Sequence, residues 1–85
     1  MKKVDYKVTD PKGMHARPAG IISSTAKQFA SVIRVACGSE EADMKKLLPL
    51  MGLTVRQNDV LHITIEGADE AEAAAAVEAS LKECF

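Results

Sequence analysis

No apolar run in this chain approaches the roughly 18 residues that a membrane-crossing helix requires. Its first residues also lack the apolar core of a secretory signal, so a cytoplasmic protein is expected. Cysteine is scarce: Cys37 and Cys84 are the only two, and neither stands at a recognisable metal-ligand spacing. Two reduced thiols are the simplest reading, against a disulfide or a metal role. With His62 far from both in sequence there is no zinc signature, and no metal is expected. Tryptophan is absent, the aromatics are one tyrosine and two phenylalanines, and the chain is not basic overall. These features, together with the lack of a nucleic-acid motif, argue against a nucleic-acid partner. Missing as well are a Gly-x-Ser-x-Gly elbow, a Gly-Lys-Ser/Thr phosphate loop and any paired acidic residues near His15 in sequence. The chain therefore has little with which to activate water.

What is present fits one small domain over residues 1–85. At 85 residues and 47% apolar composition, such a chain buries about 60% of its unfolded surface. The formal net charge of −1 conceals an asymmetry: up to Asn58 there are ten Lys/Arg and five Asp/Glu, and from Asp59 onward one Lys and seven Asp/Glu. Lys12, Arg17, Lys27, Lys45 and Lys46 belong to the basic part, which suits an acidic partner or a phosphate, although scattered lysines also serve simply as a solvated surface.

Val4, Tyr6 and Val8 alternate with charged residues in the period of a half-buried strand. Asp10-Pro11-Lys12-Gly13 breaks that strand. Ala19, Ile22, Ala26 and Phe29 then recur at helical spacing, predicting a helix from Ala16 to about Phe29; Gly20 and the Ser23-Ser24-Thr25 run weaken its propensity, so burial must hold it. A strand follows over Ser31 to Ala36, then the turn residues Gly38-Ser39 and a short strand near Glu41 to Met44. Lys45 to Gly52 reads as a short helix, with Pro49 tolerable only in its first turn and Gly52 closing it. Val60 to Glu66 alternates again, placing Leu61, Ile63 and Ile65 on one face and an exposed His62 on the other. Asp69 and Glu72 stand at capping-box spacing before a last helix. Ala73, Val77, Leu81 and Cys84 form its inner stripe, and Glu70, Glu78 and Lys82 face water. The order β-α-β-β-α-β-α implies an α+β two-layer sandwich, one sheet covered on one face by helices.

The stretch Gly13-Met14-His15-Ala16-Arg17-Pro18-Ala19 places a histidine and an arginine at a helix start. There the first backbone N–H groups lack intrahelical partners and the helix dipole is positive, which makes an anion site. Pro18 suits a first turn, where its missing N–H is no loss. With His15 at the boundary, the amides of Ala16 and Arg17 stay free. A neutral imidazole nitrogen can attack phosphorus, and the amides with the Arg17 guanidinium can hold phosphoryl oxygens. A polar capping segment without chemistry is the alternative. Because nothing accompanies His15 to activate water, the chemistry points to a carrier and not to a self-sufficient enzyme. Leu47, Leu48, Leu50 and Met51 cover most of the circumference of a helix of one and a half turns, so some of them must be exposed. They form either a protein-contact patch flanked by Lys45 and Lys46 or a cap on the core. Lys27 is either a solvated residue or a rim contact.

Together these residues resemble the HPr family of histidine-containing phosphocarriers of the bacterial phosphoenolpyruvate-dependent sugar phosphotransferase system. The resemblance runs from Val8 through the Gly13–Ala19 heptad and the Lys45–Gly52 segment to Gly67-Ala68-Asp69-Glu70. It implies an open-faced β-sandwich, with a four-stranded antiparallel sheet and three helices on one face, and no cofactor. It further implies that His15 is phosphorylated on Nδ1 by phospho-enzyme I and passes the group to IIA components of sugar transporters, with Arg17 contacting the phosphoryl group. The docking surface so implied comprises Leu47, Leu48 and Met51 with Gly20, Ser24 and Lys27, on a protein expected to be monomeric. Three residues depart from the family pattern. Lys46 stands where many members carry a regulatory serine, so that control point is expected to be missing; Lys12 replaces a small polar residue, and Pro49 is unusual in the docking helix. These departures leave room for a regulatory binding module, or for a carrier in a non-sugar phosphotransfer branch, as rival readings.

Overall fold

A computed structural model describes residues 1–85. The elements in chain order are β1 (Lys2–Lys7), α1 (Ala16–Ala26), β2 (Val32–Cys37), β3 (Glu40–Asp43), α2 (Leu47–Met51), β4 (Val60–Glu66) and α3 (Glu70–Cys84). The four strands form one antiparallel sheet in the order β1-β4-β2-β3. Register follows the apolar alternation: Val4 lies opposite Ile63, and Ile63 opposite Val35, so one sheet face is apolar across its width. That face, with Ile33, Leu61 and Ile65, meets Ala19, Ile22 and Ala26 of α1, Leu50 of α2 and Ala73, Val77 and Leu81 of α3 in a single core. The expected open-faced sandwich with three helices on one side is what forms. A two-residue turn joins β2 to β3, with Cys37 opposite Glu40. Gly38 takes φ +62° at its first position, as a tight hairpin with the sheet's twist requires.

Several boundaries move, for identifiable reasons. Helix α1 stops at Ala26, short of Phe29, because the chain tightens there: Gln28 and Phe29 donate to the carbonyls three residues back, Thr25 and Ala26. The tightening aims the Phe29 carbonyl at the Lys45 ammonium, which donates to it at 2.7 Å. Strand β2 begins at Val32 and not at Ser31, since the Ser31 N–H and hydroxyl are both taken by the Asp69 carboxylate. Strand β3 covers Glu40 to Asp43; Met44 lies just beyond it, although its N–H still reaches the Ile33 carbonyl at 2.9 Å.

The capping box does not form. Asp69 stands at the N-cap of α3, but its carboxylate makes no cap bond and instead accepts from Ala30 N at 2.8 Å, Ser31 N at 3.0 Å and the Ser31 hydroxyl. Tertiary donors outcompete the local amides, and the start of α3 is thereby tied to the α1–β2 connection. Glu70 is not simply solvated either: one oxygen pairs with the Met1 amine at 2.7 Å and the other lies 3.4 Å from Gly67 N. Gly52 closes α2 without a left-handed cap. Its φ of −75° is helical, and its N–H bonds the Leu48 and Pro49 carbonyls. Ser80, not foreseen on the inner stripe of α3, is buried there, with its hydroxyl donating to the Val77 carbonyl at 2.9 Å.

Candidate functional site

Asp10-Pro11-Lys12-Gly13 closes on itself after β1. Gly13 N donates to the Asp10 carbonyl at 3.0 Å, and Lys12 N donates to the Asp10 carboxylate at 2.8 Å, an arrangement that aspartate favours in turns. Gly13 adopts φ +61° and is buried directly against the Val55 carbonyl, where a Cβ would stand 1.9 Å from the oxygen. The loop is thus seated on the segment before β4, and its exit fixes where the next two residues lie.

His15 is the N-cap of α1, in extended conformation with φ −144° and ψ −179°. Its carbonyl accepts the Ala19 N–H at 3.0 Å, while its side chain makes no cap bond. No protein acceptor bonds the amides of Ala16 and Arg17. The half-buried imidazole therefore stands beside two free donors at the positive end of an eleven-residue helix. Arg17 is exposed and enters no ion pair, which leaves its guanidinium fork open to an incoming anion. Pro18 is buried in the first turn.

A shallow pocket of about 340 Å³ opens at this helix start, lined by Asp10, His15, Arg17, Pro18, Ile21, Glu83 and Cys84. Four of these residues, Asp10, Ile21, Glu83 and Cys84, carried no site signal in the sequence. Asp10 reads there only as a turn former, and Glu83 and Cys84 reach the pocket because the end of α3 packs on α1, a contact between segments some sixty residues apart. Burial, followed by the Glu83 charge, pushes the Cys84 thiol above its usual range, while Arg17 pulls it down more weakly. Cys84 is accordingly a neutral wall of the pocket. The other free thiol, Cys37, is buried far along the chain and is raised by burial and then by Asp59.

Gly20, Ser24 and Lys27 recur at helical spacing on one face of α1. Ser24 and Lys27 are exposed, and nothing lies within 4 Å of where a Gly20 Cβ would be. On α2 the apolar residues divide as the helix geometry demands. Leu50 is fully buried, whereas Leu48 is 78% exposed, Leu47 39% and Met51 38%. Helices α1 and α2 pack together, and the Ser23 hydroxyl bonds the Lys45 carbonyl at 3.1 Å. Lys45 is therefore largely structural, its ammonium held by Phe29, and only the exposed Lys46 stands free at the start of α2. His62 points outward on β4 with its Nδ1 2.9 Å from Asp5, remote from this site.

Comparison with known proteins shows the family and the fold. The family model "PTS HPr component phosphorylation site" matches residues 2–83. The phosphocarrier protein HPr of Mycoplasma genitalium is 45% identical over 83 residues, covering 96% of this chain and 94% of its own. That of Lysinibacillus sphaericus is 39% identical over 83 residues, covering 98% and 94%. Among solved structures, an HPr from Thermoanaerobacter tengcongensis superposes with a TM-score of 0.90 at 34% identity, covering all of this chain and 96% of that one. A Mycoplasma histidine-containing phosphocarrier reaches a TM-score of 0.94 over 96% and 93% of the two chains; at 24% identity that likeness is one of fold.

Proposed function

The chain belongs to the PTS HPr family of phosphocarrier proteins, and on that premise we propose that His15 is its phosphoryl acceptor, loaded by phospho-enzyme I and unloaded to IIA components. A phosphocarrier of the phosphotransferase system is not itself an enzyme; it holds a covalent group that other proteins donate and remove. The observation that carries the residue assignment is the geometry of the α1 start: an extended N-cap histidine, two free amides and an unpaired arginine in one pocket.

In the loading step the Nδ1 lone pair of neutral His15 attacks phosphorus. The bond from phosphorus to the donor atom of enzyme I breaks, and its electron pair remains on the donor. Arg17 and the amides of Ala16 and Arg17 hold the phosphoryl oxygens as charge passes through the transition state. Unloading is the same displacement with the acceptor as nucleophile and His15 as leaving group. Leu47, Leu48 and Met51, with the Gly20, Ser24 and Lys27 face, form the surface on which donor and acceptor dock in turn. The chain acts as one cytoplasmic carrier domain over residues 1–85, with Lys46 in place of a regulatory serine.

Incubation with enzyme I, phosphoenolpyruvate and magnesium yields an acid-labile, base-stable phosphoprotein, and His15→Ala abolishes it. An unmodified wild type, or labelling that survives the substitution, refutes the assignment.

A further inference from the structure

The pocket that receives the phosphoryl group is not uniformly positive. Arg17 contributes one positive charge, while Asp10 and Glu83 contribute two negative ones, so with His15 neutral the lining sums to −1. Neither carboxylate forms an ion pair with Arg17. Asp10 is held by its own turn. The Lys12 amide anchors one carboxylate oxygen at 2.8 Å, so the side chain is fixed on the pocket wall. It makes no hydrogen bond to His15, which sets aside a base that draws the imidazole proton. Lys12 extends from the same turn, exposed and unpaired.

The geometry points to Asp10 as the residue that sets the transfer potential of the carrier: its carboxylate repels the phosphoryl group on His15 and favours donation to the next protein. This inference rests on the reading of His15 as the phosphoryl acceptor. A phosphoryl group brings about two negative charges into a pocket whose lining already sums to −1. Arg17 and the helix-start amides stabilise the group both in the bound state and in transfer, whereas Asp10 opposes it once it is bound. A carrier needs both effects, because a group held too well is not passed on. Across a solvent-exposed pocket of this size one carboxylate shifts the phosphorylation equilibrium by about three- to tenfold at low salt.

The test is a competition. Isotopically labelled wild type and unlabelled Asp10→Asn are mixed in equal amounts with catalytic enzyme I and limiting phosphoenolpyruvate. The phosphorylated fraction of each is then read by mass spectrometry under alkaline conditions. The asparagine oxygen can still accept the Lys12 N–H, so the turn is kept, and Asp10→Ser provides a second neutral variant with an acceptor. The expected result is accumulation of phosphoryl group on either variant by about three- to tenfold over wild type at about 20 mM salt, falling below about twofold near 1 M. Equal partition at low salt, preference for wild type, or opposite signs for the two variants overturns the proposal. A preference that does not shrink with salt assigns the effect to loop shape and overturns it too. If wild type takes up no phosphoryl group on His15, the acceptor assignment itself fails and the role of Asp10 falls with it.

Discussion

Replacing Gly13 by alanine perturbs the site without touching a reacting atom, and its cost can be divided into two parts. At φ +61° an alanine side chain costs about 1–2 kcal/mol in backbone strain. The added Cβ would also stand 1.9 Å from the Val55 carbonyl oxygen, far inside contact distance, and the opposing atom is backbone. Something must shift, and relief of such overpacking costs a further ~1–3 kcal/mol, for a total of about 2–5 kcal/mol. Gly38 supplies the control, with nearly the same φ, +62°, but nothing within 4 Å of its would-be Cβ. Gly38→Ala should lose only the first part, about 1–2 kcal/mol. Urea unfolding followed by circular dichroism measures both variants; with a slope near 1 kcal/mol per molar, the Gly13→Ala midpoint falls at least ~1 M further than that of Gly38→Ala. Gly13 lies two residues before His15, so displacement of its loop from Val55 slows phosphorylation by enzyme I in Gly13→Ala, whereas Gly38→Ala stays near wild type. Equal midpoints for the two variants would refute the claim that contact with Val55 seats the His15 loop.

The division of α2 between core and surface predicts opposite phenotypes for neighbouring leucines. Leu50→Ala, at a fully buried position, loses about 2–5 kcal/mol of stability. Leu48→Ala, at a 78% exposed one, loses less than ~0.5 kcal/mol but weakens binding to enzyme I by about five- to thirtyfold, as read by calorimetric titration. Asp69 predicts a pH dependence. Its carboxyl is held below the usual 3.8, chiefly by the Ser31 hydroxyl and then by the Ala30 amide. A folded-state value below the unfolded one gives stability that is fully present above about pH 4 and is lost as pH falls through the folded value. Asp69→Asn should therefore flatten the acid limb of a melting-temperature profile; an unchanged slope between about pH 4 and pH 2 would contradict this linkage.

Patterns that one element can express by itself were legible in the sequence. The period-2 runs of β1 and β4, the buried stripe of α1, the first-turn proline of α2 and the Gly38-Ser39 hairpin all appear where local chemistry places them. The free amides of Ala16 and Arg17 beside His15 were legible for the same reason, since a helix start needs only its own backbone. Features that depend on competition between local and distant partners were not. Asp69 has capping-box spacing, yet its carboxylate goes to Ser31 and Ala30, donors thirty-eight and thirty-nine residues away. Lys45 reads as surface charge until Phe29 is seen to hold it. The acidic side of the pocket is hidden in the same way. Asp10 carries the signature of a turn, and Glu83 and Cys84 that of a helix end. The turn carries Asp10 to the pocket wall, and only the packing of α3 on α1 brings Glu83 and Cys84 to the pocket that His15 lines.

Under the proposed relay, one helix serves two tasks, and that constrains how partners bind. His15 begins α1 and Gly20 lies five residues along it, a rise of about 8 Å at 1.5 Å per residue. A protein seated on the Gly20, Ser24 and Lys27 face can thus reach the imidazole without moving along the helix, and α2 extends the same seat through Leu47, Leu48 and Met51. Donor and acceptor both need access to the same imidazole, so they use the seat in turn and cannot share it. A few half-exposed side chains on two short helices offer an interface at the small end of the specific range, where complexes are transient. Release is then built into the docking surface, as transfer is built into the pocket. A substitution that enlarges the apolar seat, such as Gly20→Leu at a position with nothing within 4 Å of its would-be Cβ, leaves folding nearly unaffected but either blocks the seat or prolongs each complex. In both cases turnover of the relay slows while the capacity of His15 to be phosphorylated at saturating enzyme I persists.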